Sequence, residues 1–76
     1  MKIVQFSDGN YAIRRWYLFS WEYLVLNESA NWWVSKGSDE YRFCLSKDFE
    51  KVKKIFKLVK AFNESGKPVN MIVETI

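Results

Sequence analysis

The sequence predicts an α+β fold: a mostly antiparallel sheet of about five strands with one amphipathic helix packed on one face. Three observations predict it. Asp8-Gly9 lies between two apolar-alternating runs, which marks a β-hairpin. After Ser46 the apolar period lengthens from two to about 3.6, which marks a helix. Beyond that helix the chain returns to a β-branched run, Val69–Ile76. Strands, then a helix, then a strand bury their apolar surfaces best as one sheet with a helix laid across it.

Each element has its own warrant. Ile3–Phe6 and Tyr11–Tyr17 flank Ser7-Asp8-Gly9-Asn10. Asp-Gly suits the two positive φ angles of a type I′ turn, and a two-residue loop there sets Phe6 opposite Tyr11, Val4 opposite Ile13 and Lys2 opposite Arg15. Trp16–Leu26 reads as the end of the second strand, a short connection near Ser20 and a third strand Trp21–Leu26. Polar Asn27–Asn31 is a turn, Trp32-Trp33-Val34 a short strand and Lys36–Asp39 another turn. Tyr41–Leu45 alternates as a strand with Cys44 on one face and Tyr41, Phe43 and Leu45 on the other, which with Val4, Phe6 and Ile13 is the face expected to meet the helix. Phe49, Val52, Ile55, Phe56, Val59 and Phe62 then form a helical apolar stripe. Ser46 is the expected N-cap, Asp48 and Glu50 suit the positive first turn, and Gly66 with Pro68 ends the helix after about Asn63.

At 76 residues the chain holds one domain, 1–76, with no linker or repeat. So short a chain is hard to stabilise, and its four Trp, four Tyr and six Phe supply large apolar area per residue. The absence of histidine and the single cysteine, Cys44, rule out a disulfide within the chain, a Cys-His zinc cluster and Ser-His or Cys-His nucleophile pairs. The three glycines are isolated and build no phosphate cradle. Asp39-Glu40 and Asp48/Glu50 sit where turns and helix starts ordinarily place acids. The expectation is therefore a non-enzyme with no cofactor and no metal. Cys44, an unactivated thiol, fits a reducing compartment. With no signal peptide and no apolar run of about 18 residues, the chain reads as cytoplasmic, with no membrane partner.

Three features could bind. A single helix covers one sheet face, and adjacent strand residues diverge, so Trp32 and Trp33 should part: one to the core, the other exposed beside Trp16. That second face is either a binding surface or a mini-core closed by Leu18–Trp21 or the 27–31 loop. Arg14 and Arg15, next to Trp16, either stack on a ligand ring or make cation–π pairs inside the fold. Lys53, Lys57 and Lys60 recur at i, i+4, i+7 opposite the apolar stripe; they could track phosphates or merely solvate the helix. Net charge is +3, from twelve basic and nine acidic side chains, which permits an acidic partner without requiring one.

The run Met1–Arg15, followed by Trp32-Trp33 and one Lys/Glu-rich helix, resembles the pattern of very small bacteriophage proteins. The resemblance carries no site residues. It implies a protein that binds and blocks a host protein, including host defence complexes, or that adapts the host machinery. The expected function is a protein-binding inhibitor or adaptor acting on a host or viral protein through an aromatic and basic sheet face. The alternatives are a small nucleic-acid-binding domain using the Lys/Arg and Trp residues, and a homo-oligomer joined through that face.

Overall fold

The computed structural model describes residues 1–27, 29–63 and 73–75. It has the predicted α+β architecture: β1 (Lys2–Gln5), β2 (Tyr11–Tyr17), β3 (Ser20–Leu24), β4 (Trp33–Ser35), a 3-10 helix (Asp39–Cys44), α1 (Phe49–Asn63) and β5 (Val73–Thr75). The five strands form one sheet in the order β4-β3-β2-β1-β5. Its pairs are antiparallel except β1–β5, which is parallel. The expected helix stop at Gly66 and Pro68, and residues 69–72 and 76 of the expected last strand, lie outside the described residues.

The first hairpin forms where Asp-Gly places it, but its register differs by one residue from the expectation. Observed partners are Lys2 with Arg14, Ile3 with Ile13, Val4 with Ala12 and Gln5 with Tyr11. The cause is a three-residue loop, Ser7-Asp8-Gly9, in place of a two-residue one. Gly9 N–H donates to the Phe6 carbonyl (3.0 Å) and Phe6 N–H to the Asn10 carbonyl (2.8 Å). Gly9 alone takes a positive φ, 91°, as in a type I turn closed by a left-handed residue. Asp8 completes the loop by accepting from the Asn10 backbone N–H and side-chain amide, both at 2.9 Å. These bonds hold its carboxyl below the ordinary range.

A one-residue slip changes which side chains share a face. Ile3, Ile13, Leu24 and Leu26 meet the Val52, Ile55, Phe56 and Val59 stripe of α1, with Tyr11, Trp33 and Phe49 packed at the edge. Val4, Ala12, Tyr23 and Val25 lie on the opposite face with Cys44, flanked by Phe6, Val34, Tyr41 and Leu45. Of the residues expected beside the helix, Ile13 is there; Val4, Phe6, Tyr41 and Leu45 belong to the second core, and Phe43 is exposed.

The expected strand Tyr41–Leu45 is instead the 3-10 helix, which covers part of the face opposite α1. Ser38 caps it: its hydroxyl accepts from Glu40 N–H and donates to the Glu40 carboxylate, and Asp39 and Glu40 occupy the first turn. With three residues per turn, positions i and i+3 share a side. Tyr41 and Cys44 therefore point into the second core while Phe43 points out. The Tyr41 ring meets Tyr23 edge-on at 5.0 Å. The α1 cap also differs from expectation. Asp48 is the cap, accepting from Lys51 N–H (3.3 Å), while Ser46 pairs through its backbone with Tyr11.

Candidate functional site

The sheet has a closed end and an open one. Where β1–β3 carry Ile3, Val4, Ala12, Ile13, Tyr23 and Leu24, α1 and the 3-10 helix cover both faces and these residues are buried. The far end of the β2–β3 hairpin lies beyond that cover. The strands close with Tyr17 opposite Ser20, so the connection is the two residues Leu18-Phe19 and not the vicinity of Ser20. Both hold positive φ, 49° and 66°, as a type I′ turn demands. Neither is the Asn or Gly that adopts this geometry without strain; a bulky L-residue there costs about 1–2 kcal/mol. Their side chains are 76 % and 91 % exposed.

Side chains below the tip supply the order that the turn residues do not. Trp16 and Trp21 are cross-strand partners whose rings meet edge-to-face, 5.1 Å apart at 73°; such a pair contributes about 0.5–1.5 kcal/mol beyond its burial. Arg14, on the same face, lays its guanidinium 3.9 Å from the Trp21 ring centroid and pairs with Glu74 of β5 at 3.1 Å. Its Nε is buried without a hydrogen-bond partner. Arg15 turns to the helix side. There it sits 4.2 Å from the Trp33 centroid and 4.8 Å from that of Tyr17, and it pairs with Glu22 at 2.9 Å. The two arginines thus act as brackets, one on each face of the hairpin.

On the Arg14 face the open end forms a shallow depression of about 260 Å³, lined by Met1, Lys2, Arg14, Arg15, Trp16, Trp21 and Glu74. Trp16 remains 57 % exposed and Trp21 42 %. Among the described residues, neither Leu18-Phe19 nor Asn27 and Ser29–Asn31 line or cover this depression. The 3-10 helix makes a mini-core of the closed end and leaves the Trp16–Trp21 end open. Lys2 and Lys36 are exposed, and Lys36 follows Ser35, the partner of Glu22. Four cations (Lys2, Arg14, Arg15, Lys36) therefore surround this end against two carboxylates, Glu22 and Glu74.

The structure brings Arg14, Arg15 and Trp16 to this depression, with the Arg15 guanidinium turned against Trp33. The tryptophans part, although β4 begins at Trp33 and not at Trp32 as expected: Trp33 is half-buried against the helix-side core, and Trp32, just before the strand, is half exposed. Trp32, however, is not beside Trp16. Its carbonyl accepts from Val25 N–H (2.8 Å), four residues along the strand from Trp21, or about 13 Å. Lys53 and Lys57 lie on the helix, away from the hairpin tip; Lys53 is 3.9 Å from Glu50, and Lys60 is half-buried near the end of α1. Sequence patterning marks Leu18–Trp21 only as a candidate cover for this face, and does not mark Leu18, Phe19, Trp21, Glu22 or Glu74 as contact residues. The available signal was the spacing Trp16…Trp21, which pairs the two indoles across any hairpin that closes at Leu18-Phe19.

Cys44 has no place in this site. It is fully buried in the second core, its thiol donates toward the Glu40 carbonyl at 3.7 Å, and burial pushes its pKa up to about 11. Among the described residues no group of three or more His, Cys, Asp or Glu side chains could hold a metal ion, and no helix is long and apolar enough to cross a membrane. Comparison with known proteins finds no matching family model, no matching curated protein and no matching solved structure. A functional reading therefore rests on the geometry of the open sheet end.

Proposed function

We propose that this chain is a non-enzymatic protein-binding module whose contact surface is the open end of the β2–β3 hairpin. One observation carries the reading: Trp16, Tyr17, Leu18, Phe19 and Trp21 are all exposed in one contiguous stretch. Apolar patches of this kind on a small domain mark interaction sites, and Trp, Tyr and Arg are the residues on which binding energy concentrates. A stoichiometric inhibitor or adaptor, the role implied by the resemblance to small phage proteins, needs such a surface and no catalytic group. The guanidinium groups of Arg14 and Arg15 are already engaged by carboxylates and rings. That favours a protein partner over a phosphate backbone.

The test is capture on the immobilised chain from a lysate of the cells that carry its gene, with and without nuclease. The expected result is a protein retained after nuclease treatment and released about 30-fold more readily by Trp16→Ala, the effect of an interface hot spot. Loss of every partner on nuclease treatment would transfer the site to nucleic acid.

A further inference from the structure

The tip of the hairpin is the most exposed apolar point among the described residues, and it has the least local reason to be so. Leu18 and Phe19 are bulky side chains in the left-handed region and contribute almost nothing to either core. Beneath them the support is fixed. The Trp16–Trp21 pair, Arg14 on Trp21, and Arg15 held by Glu22 between Tyr17 and Trp33 hold the base of the hairpin on both faces. A rigid base that presents two solvated apolar side chains has already met much of the ordering cost of binding.

We propose that Leu18-Phe19 is an insertion finger, with Phe19 entering an apolar pocket of a partner protein whose rim is acidic and meets the exposed ammonium groups of Lys2 and Lys36. This rests on the protein-binding reading and specifies the partner's surface. Charge decides against a second copy as the occupant. Among the described residues, the hollow of about 470 Å³ beside Leu26, Ile55 and Leu58 is rimmed by Lys51 and Lys54, which would face the Lys2 and Lys36 ammonium groups of an incoming finger. Like charges set opposite one another disfavour that pairing. The paired guanidinium groups, stacked on rings, suit a shaped protein pocket.

A photo-crosslinking benzophenone side chain placed in turn at Phe19, Trp16 and Ser7 of the full chain, in the cells that carry the gene, tests this. The expected result is a protein adduct from position 19 and none from position 7, with the attached partner residue in an apolar pocket bordered by Asp or Glu. Unlabelled chain should compete the adduct away, and the Leu18→Asn/Phe19→Gly variant should compete about 30-fold less well. An adduct from position 16 without one from position 19 overturns the finger and leaves the protein-binding reading standing. Absence of any protein adduct overturns both. An adduct to a second copy of the chain overturns the foreign pocket. So does Phe19-dependent sedimentation with vesicles of phosphatidylcholine and phosphatidylglycerol.

Discussion

The two tight turns of the β1–β2–β3 meander meet the same geometric demand with opposite residues. At the first, the position that needs a positive φ is glycine, and Asp8 ties the loop with two hydrogen bonds to Asn10. At the second, both positions that need a positive φ carry large apolar side chains that touch little else. The first turn lies at the end of the sheet closed by α1 and the 3-10 helix; the second lies at the open end. Local conformational preference accounts for the first and fails for the second. The open end is held by rings and guanidinium groups below the tip, and what the tip residues themselves offer is contact.

If that contrast is right, substitutions at the two ends must behave differently, and the largest effects belong to the closed end. Phe56 is fully buried against the sheet, whereas Phe43 points outward from the 3-10 helix. Phe56→Ala should cost about 3–5 kcal/mol, enough to unfold much of so small a domain, while Phe43→Ala should change the unfolding midpoint little. The tryptophan pair offers a smaller version of the same comparison. Trp33→Ala removes a half-buried ring packed on the core and on Arg15, and should cost about 2–3 kcal/mol. Trp32→Ala should cost less than about 1 kcal/mol. Equal losses in chemical denaturation would show that exposure is a poor guide to this fold.

The second core makes a prediction in pH. Burial raises the Cys44 pKa in the folded chain to about 11, above its ordinary value of about 9. The folded state therefore keeps a proton that the unfolded state releases. The associated stability is complete below about pH 9 and is lost as the pH rises toward 11, by an amount on the order of 2 kcal/mol. Tyr41, raised for the same reason, acts in the same direction. Cys44→Ala should flatten this decline, and the thiol of the folded chain should resist iodoacetamide at pH 8.

What was legible in the sequence follows the length over which each pattern repeats. The α1 stripe spans four turns, so a 3.6-residue period could not be mistaken for another, and its four central apolar residues are buried as expected. Asp8-Gly9 located the first hairpin but left its register open, because glycine serves a two-residue loop and a three-residue loop alike. The 3-10 helix was hidden because six residues at a period of three still place Tyr41, Phe43 and Leu45 in apparent alternation. Its signal was Ser38 followed by Asp39 and Glu40, a cap with acids in the first turn. The β2–β3 turn was hidden for a different reason. It contains no turn-forming residue at all, and sequence reasoning that looks for Gly, Asn or Pro moves the connection to Ser20. Of the candidate site, Arg14, Arg15 and Trp16 are legible as a basic and aromatic run in the sequence; its tip is not, because the tip departs from the local rules.

That departure can be measured directly by comparing thermal midpoints of two turn variants with the parent chain. Gly9→Ala forces a side chain onto a φ of 91° and should cost about 1 kcal/mol, lowering the midpoint by roughly 4–8 °C. Leu18→Asn/Phe19→Gly places turn-forming residues where the backbone already has the required shape and removes side chains that pack on almost nothing. It should raise the midpoint, by up to about 4–8 °C for a gain near 1 kcal/mol. Opposite signs are the outcome this account predicts: one turn built for the fold, the other for contact. A fall in the midpoint for the Leu18→Asn/Phe19→Gly variant would contradict it, because Leu18 and Phe19 would then be holding the domain together.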